Sequence, residues 1–125
     1  MKKSGIVTLI VLCLFGGFVV WLIKTPGKAG KLDTFATCLK DKGVKFYGAF
    51  WCPHCQAQKA LFGSSAKLLP YIECSNPDGN TQNQLCNDQK ITGYPTWEFA
   101  DGHRENGEVS LQKLSELSSC DLPKS

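Results

Sequence analysis

Apolar and polar positions divide the 125-residue chain into two unlike parts. After a short basic start at Lys2-Lys3, Ile6 to Ile23 carries no charged residue over eighteen positions. As a helix this run would be ~27 Å long, close to the hydrocarbon thickness of a bilayer, with Trp21 at its far interface. It predicts an N-terminal transmembrane signal-anchor over residues 1–24. A cleaved signal peptide is the competing reading, with Gly27-Lys28-Ala29 as a poor cleavage site, but its apolar core is usually shorter. Cys13, mid-span, reads as a small apolar residue. Thr25 to Lys31, with Pro26, Gly27 and Gly30, reads as a linker that reaches at most ~25 Å.

Residues 32–121 carry the mixed periodicities of an α/β domain. Leu32 to Lys42 reads as a helix with Asp33 as N-cap, Phe35, Ala36 and Leu39 inward, and Gly43 as its stop. Val44 to Phe50 is a continuous apolar run suited to a strand buried on both faces. A helix follows through Leu61-Phe62, with Cys52 as N-cap and Pro53 in the first helical position; Gly63-Ser64-Ser65 bends it before Ala66 to Leu69. Tyr71 to Cys74 is a short strand, Asn76-Pro77-Asp78-Gly79 a turn, and Thr81 to Gln89 a polar helix with Leu85 and Cys86 inward. Thr96 to Ala100 and His103 to Glu105 are strands joined by Asp101-Gly102. Ser110 caps a last helix lined by Leu111, Leu114 and Leu117. A first helix followed by βαβ and ββα halves predicts a thioredoxin-like fold: a four-stranded mixed sheet flanked by helices, behind the transmembrane helix.

Charge and cysteine usage narrow the setting. The net charge of +3 comes largely from the basic residues around the anchor, and acids and bases nearly cancel from Leu32 onward. Lys/Arg runs are absent, so no nucleic-acid partner is expected. Six of the seven cysteines follow the apolar segment, a density typical of oxidising compartments. The expected location is the inner membrane, single-pass, with the domain facing the periplasm or an equivalent space.

Trp51-Cys52-Pro53-His54-Cys55 carries the chemistry. Two cysteines three apart at a strand-to-helix junction can open and close a disulfide at little geometric cost. Cys52 is the expected nucleophile, stabilised as a thiolate by the first helical turn, with His54 tuning it further. Cys55, one turn in, is the resolving thiol. In a thioredoxin-like domain the Gly93-Tyr94-Pro95 loop faces this pair with a cis peptide bond and offers backbone hydrogen bonds to an incoming polypeptide; an ordinary trans-proline at a strand start is the bland reading. Trp51, Gly93, Tyr94 and Pro95 are thus the expected substrate-binding residues. Cys74 and Cys86, twelve apart, read as a structural disulfide, with a second redox pair as the alternative. Cys38 and Cys120 remain and could pair, but six cysteines allow fifteen connectivities. Neither a metal nor another cofactor is expected; zinc held by the CxxC with Cys74 and Cys86 is the weaker reading. His103, beside the hairpin turn, reads as an exposed polar residue. Phe46 stands six positions before Cys52, where many thioredoxins and disulfide isomerases carry a buried carboxylate that helps deprotonate the second thiol.

Phe46 to Gln56, Gln58-Lys59, Leu61-Phe62-Gly63, Tyr71-Ile72-Glu73-Cys74, Leu85-Cys86, Ile91 to Glu98 and Asn106-Gly107-Glu108 together resemble one branch of the thioredoxin superfamily. This is the thioredoxin-like domain fused to, or partnered with, bacterial and plant vitamin K epoxide reductase (VKOR) homologues. The resemblance implies a domain that oxidises thiols of secreted proteins and passes the electrons to a membrane VKOR homologue, which reduces a quinone. The chain lacks the four-helix membrane domain of the fused pattern, so the expected partner is a separate protein. Cys38 and Cys120 are not part of the pattern. Besides a membrane-anchored thiol oxidase, the sequence leaves open a reductase or isomerase of the cytochrome c maturation type, and a non-catalytic peptide-binding adaptor.

Overall fold

The computed structural model describes residues 2–24 and 28–124, with side chains described from 4 to 19 and from 28 onward. The membrane-spanning expectation is corrected by it. Lys2–Lys24 forms one helix, α1, yet no helix among the described residues is long and apolar enough to cross a membrane. Ser4, Gly5, Thr8, Gly16 and Gly17 dilute the apolar character of α1. The single-pass inner-membrane location falls with the span. The Trp21 side chain and the Thr25-Pro26-Gly27 part of the linker lie outside the described residues.

The rest of the chain builds one mixed sheet with helices around it. Its elements are α2 (Asp33–Asp41), β1 (Lys45–Gly48), α3 (Pro53–Ala60), a 3₁₀ turn (Gly63–Leu68), β2 (Tyr71–Glu73), α4 (Gln84–Asp88), β3 (Thr96–Glu98), β4 (Arg104–Asn106) and α5 (Leu111–Ser118). The strand order is β2-β1-β3-β4. β1 runs parallel to β2, pairing Phe46 with Tyr71, and antiparallel to β3, pairing Phe46 with Trp97. This is the four-stranded thioredoxin-like α/β arrangement, without a membrane-crossing helix.

Alternation along β1 sorts the core into two layers. Phe46 joins Phe35, Leu39, Trp97 and Leu114 on one face, stacked on Trp97 with ring centroids 4.5 Å apart. Tyr47 points the other way, into a smaller cluster with Cys74, Cys86 and Ile91. A disulfide ties each layer: Cys38–Cys120 joins α2 to the second residue beyond α5, and Cys74–Cys86 joins the end of β2 to α4.

Several elements are shorter than their hydrophobic pattern suggests, each for a local reason. β1 stops at Gly48 because Phe50 and Trp51 turn out to solvent, half exposed. α4 keeps only Gln84–Asp88; Gln82 instead bridges Ser75, and the Asn83 side chain caps the helix by accepting the Cys86 amide at 3.0 Å. Cys86 points inward, but Leu85 is 53% exposed, against expectation. Leu117 likewise faces outward, while Leu114 is fully buried. At α2 the N-cap is Leu32, and Asp33, already helical, reaches back to accept the Gly30 amide at 2.9 Å.

Candidate active site

The strand-to-helix junction is built by short local bonds. After β1 the chain turns through Ala49, whose carbonyl accepts the Cys52 amide at 3.0 Å. Cys52 is extended, at φ −78° and ψ 116°, and Pro53 fills the first helical position of α3. An extended N-cap before proline is what the steric rules for that dipeptide favour. The Cys52 sulfur then accepts the Cys55 amide at 3.3 Å, satisfying a donor that α3 itself cannot. Its thiol also donates to the Tyr94 carbonyl at 3.8 Å.

That carbonyl belongs to the one X-Pro cis bond among the described residues, Tyr94–Pro95. Thr96 Oγ1 donates to the Gly93 carbonyl at 2.8 Å, fixing the loop ahead of β3. Tyr94 hydroxyl donates to Gln82 Oε1, and the Tyr94 ring meets Trp51 edge-on at 5.9 Å. Trp51 Nε1 donates to Ser75 Oγ at 3.0 Å. The fold therefore gathers Cys52, Cys55, Trp51, Gly93, Tyr94 and Pro95 around one rim. His54, on the outer side of α3, is exposed and hydrogen-bonds Glu108 through Nδ1 at 2.7 Å. His103 stands apart, paired with Glu105 at 2.9 Å.

Cys52 and Cys55 are free thiols, and both are buried. Burial pushes the Cys55 thiol up to about 12, with its hydrogen bond to Cys52 adding to the shift and Lys59 opposing it. Cys55 therefore holds its proton at neutral pH. As a pair, the two sulfurs can close to a disulfide by releasing two electrons and two protons, and reopen by the reverse. Cys74 and Cys86 are bonded to each other, so their sulfurs are not available as zinc ligands.

The structure also brings up residues that the sequence reading passed over. Gln58 is fully buried beside the pair and fully bonded: its Nε2 donates to the Val109 carbonyl, and its Oε1 accepts from Val109 N–H and Trp97 Nε1. Tyr71 and Glu73, two apart on β2, share one face, with Tyr71 hydroxyl donating to Glu73 Oε2 at 2.8 Å, and Tyr71 and Cys55 both border Gly48. Lys59 Nζ sits 3.4 Å above the Tyr71 ring. The available signal was the Tyr71-x-Glu73 alternation in an otherwise apolar strand.

A sequence model of the thioredoxin family matches residues 32–119. The chain belongs to the thioredoxin family. Within it, the chain is similar to the Arabidopsis thaliana thiol-disulfide oxidoreductase LTO1, 43% identical over 89 residues, which cover 67% of this chain and 23% of that protein. It is also similar to a Drosophila melanogaster thioredoxin domain-containing protein 5 homolog, 32% identical over 84 residues, or 59% of this chain and 19% of the relative. The chain thus spans about a fifth of the length of these curated relatives. What is shared is the thioredoxin domain.

Proposed function

We propose that this chain is a protein thiol–disulfide oxidoreductase whose working unit is the 32–121 domain, and that it forms disulfides in secreted proteins. The observation that carries the reading is the Cys52 sulfur, which accepts the Cys55 amide at the start of α3 and lies 3.8 Å from the Tyr94 carbonyl of the cis-proline loop. A substrate thiolate attacks Cys52 of the oxidised pair and forms a mixed disulfide as Cys55 leaves. A second substrate thiol then breaks that bond, so the substrate loses two electrons and the domain gains them. Tyr94, Pro95, Gly93 and Trp51 present the groove for the substrate chain. Two structural disulfides suit a domain working in an oxidising compartment. A quinone-linked partner of the VKOR type returns the pair to the disulfide.

Phe46 stands where many thioredoxins carry a buried carboxylate, and an apolar residue there supports the oxidising direction. The measurement is the reduction potential of the Cys52/Cys55 pair. A value above about −200 mV is expected, and one near the thioredoxin value of about −270 mV would sink the oxidase direction. In the same chain, Cys55→Ser should accumulate mixed disulfides with substrates, and Cys52→Ser should abolish turnover. Full activity of Cys52→Ser would establish the adaptor reading instead. The high Cys55 proton affinity also favours an isomerase reading, because a slow resolving thiol prolongs the mixed disulfide. Faster recovery of a scrambled multi-disulfide protein than of a reduced one would select it.

A further inference from the structure

We propose that Tyr71 and Glu73 form the proton relay of Cys55, taking the place of the buried carboxylate that Phe46 displaces. This rests on the thiol-exchange reading above. The problem they answer is set by the site. Cys55 is 1% exposed and holds its proton at neutral pH. It must nevertheless lose that proton each time it attacks a mixed disulfide on Cys52, and regain one each time the disulfide opens.

The geometry brings the groups to one spot. At Gly48 the chain passes so close to this cluster that a Cβ there would lie 3.0 Å from Cys55 Sγ, 2.7 Å from Tyr71 Cε2 and 3.4 Å from Tyr71 hydroxyl. The thiol and the phenol therefore converge on the same spot beside β1, and only glycine leaves them room. Phe46, one turn of the pleat earlier on the same face, holds the Tyr71 ring edge-on at 5.2 Å. Lys59 closes the other side of the ring at 3.4 Å. The phenol proton already points to Glu73 Oε2 at 2.8 Å.

Glu73 is fixed for the task. Its Oε1 accepts the Phe50 amide at 3.1 Å and the Ser75 amide at 2.9 Å, so the carboxylate cannot swing away. Burial first, and then the bond to Glu73, hold Tyr71 protonated far above neutral pH. It acts by exchanging protons and does not ionise. In the forward step the Cys55 proton passes to the Tyr71 oxygen as the phenol proton passes to Glu73 Oε2. The thiolate then attacks the Cys52 sulfur and expels the substrate thiolate, and Glu73 gives its proton to solvent. Opening of the disulfide runs the transfer in reverse. The other ionisable groups around the pair are Cys52, His54 and Lys59 on α3, Tyr94 in the cis-proline loop, and Glu108 opposite His54.

The test follows resolution of a Cys52 mixed disulfide with a cysteine peptide, by rapid mixing across pH 6 to 10. The full chain is compared with Tyr71→Phe, which keeps the ring, and Glu73→Gln, which keeps the Oε1 acceptor of the two amides. Both variants should resolve the adduct about tenfold more slowly at pH 7, with the deficit closing as hydroxide takes over at high pH. Net opening of the oxidised pair by peptide thiolate, which runs the same transfer in reverse, should slow by a similar factor at pH 7. Resolution at the unmodified rate, or a deficit constant over pH, would overturn the relay alone. Failure of the unmodified chain to form and resolve the adduct would overturn the thiol-exchange reading, and the relay with it.

Discussion

At the scale of single residues, two sulfurs three positions apart differ through burial and hydrogen bonding. Cys52 sits at the mouth of α3 and accepts the Cys55 amide, whereas Cys55 lies a turn deeper and is pushed up to about 12. In a Cys13→Ala chain, which removes the exposed third free thiol, the open Cys52/Cys55 pair should therefore take a single iodoacetamide label at neutral pH, and peptide mapping should place it on Cys52. Labelling of Cys55 should appear only as the pH climbs toward 12. Equal labelling at pH 7 would contradict the ordering. The motif itself identified the pair, because Cys-Pro-His-Cys after an apolar run admits few other structures. The acid–base partners were not legible in the same way. Tyr71 is an ordinary strand residue until the parallel pairing of β1 with β2 brings it to Gly48 and Cys55, and Glu73 enters only through its bond to the Tyr71 hydroxyl.

At the scale of elements, local signals fared best where a single residue enforces the geometry. Pro53 at the first position of α3, Ser110 accepting the Lys113 amide at 3.2 Å, and Gly43 at φ +75° after α2 each mark a helix end. Periodicity was less reliable for short amphipathic pieces. Leu85 and Leu117 fit an inward stripe, yet both face solvent because Cys86 and Leu114 already fill the available core. The sheet edge carries its own electrostatics. Glu98 on β3 accepts from Lys45 Nζ on β1 at 2.9 Å and from Arg104 Nε on β4 at 2.7 Å. Partial burial raises its pKa, but the two cations outweigh this and hold the carboxyl below its ordinary 4.5. A depressed folded value means the stabilisation is complete above pH 4.5 and is lost as the pH falls through the folded value. Urea unfolding at pH 7 and pH 3 should show a loss in the unmodified chain that Glu98→Gln lacks, on the order of 1 kcal/mol. An identical pH response in both would remove this role from Glu98.

At the scale of the whole molecule, a domain of some 90 residues has a modest core, and its two disulfides close loops of very different length. Cys38–Cys120 spans 82 positions and Cys74–Cys86 only 12. On the chain-entropy account, removing the long one costs about 4 to 5 kcal/mol and the short one about 3. Thermal unfolding of the Cys38→Ala/Cys120→Ala and Cys74→Ala/Cys86→Ala double variants should rank them in that order; the reverse would show that native packing around Cys74 and Cys86, not loop closure, dominates. By itself the sequence determined the order of elements, the α/β class and the reactive pair, because each follows from neighbours within a few positions: apolar runs, caps, turns and the CxxC spacing. It could not choose among fifteen pairings of six cysteines. The tertiary structure did, by bringing α2 against the end of α5 and the end of β2 against α4. It also overturned the membrane span drawn from eighteen uncharged positions, since among the described residues no helix is long and apolar enough to cross. Finally it brought Tyr71 and Cys55 to one spot beside Gly48. That contact joins β1, β2 and α3, and a linear reading has no access to it.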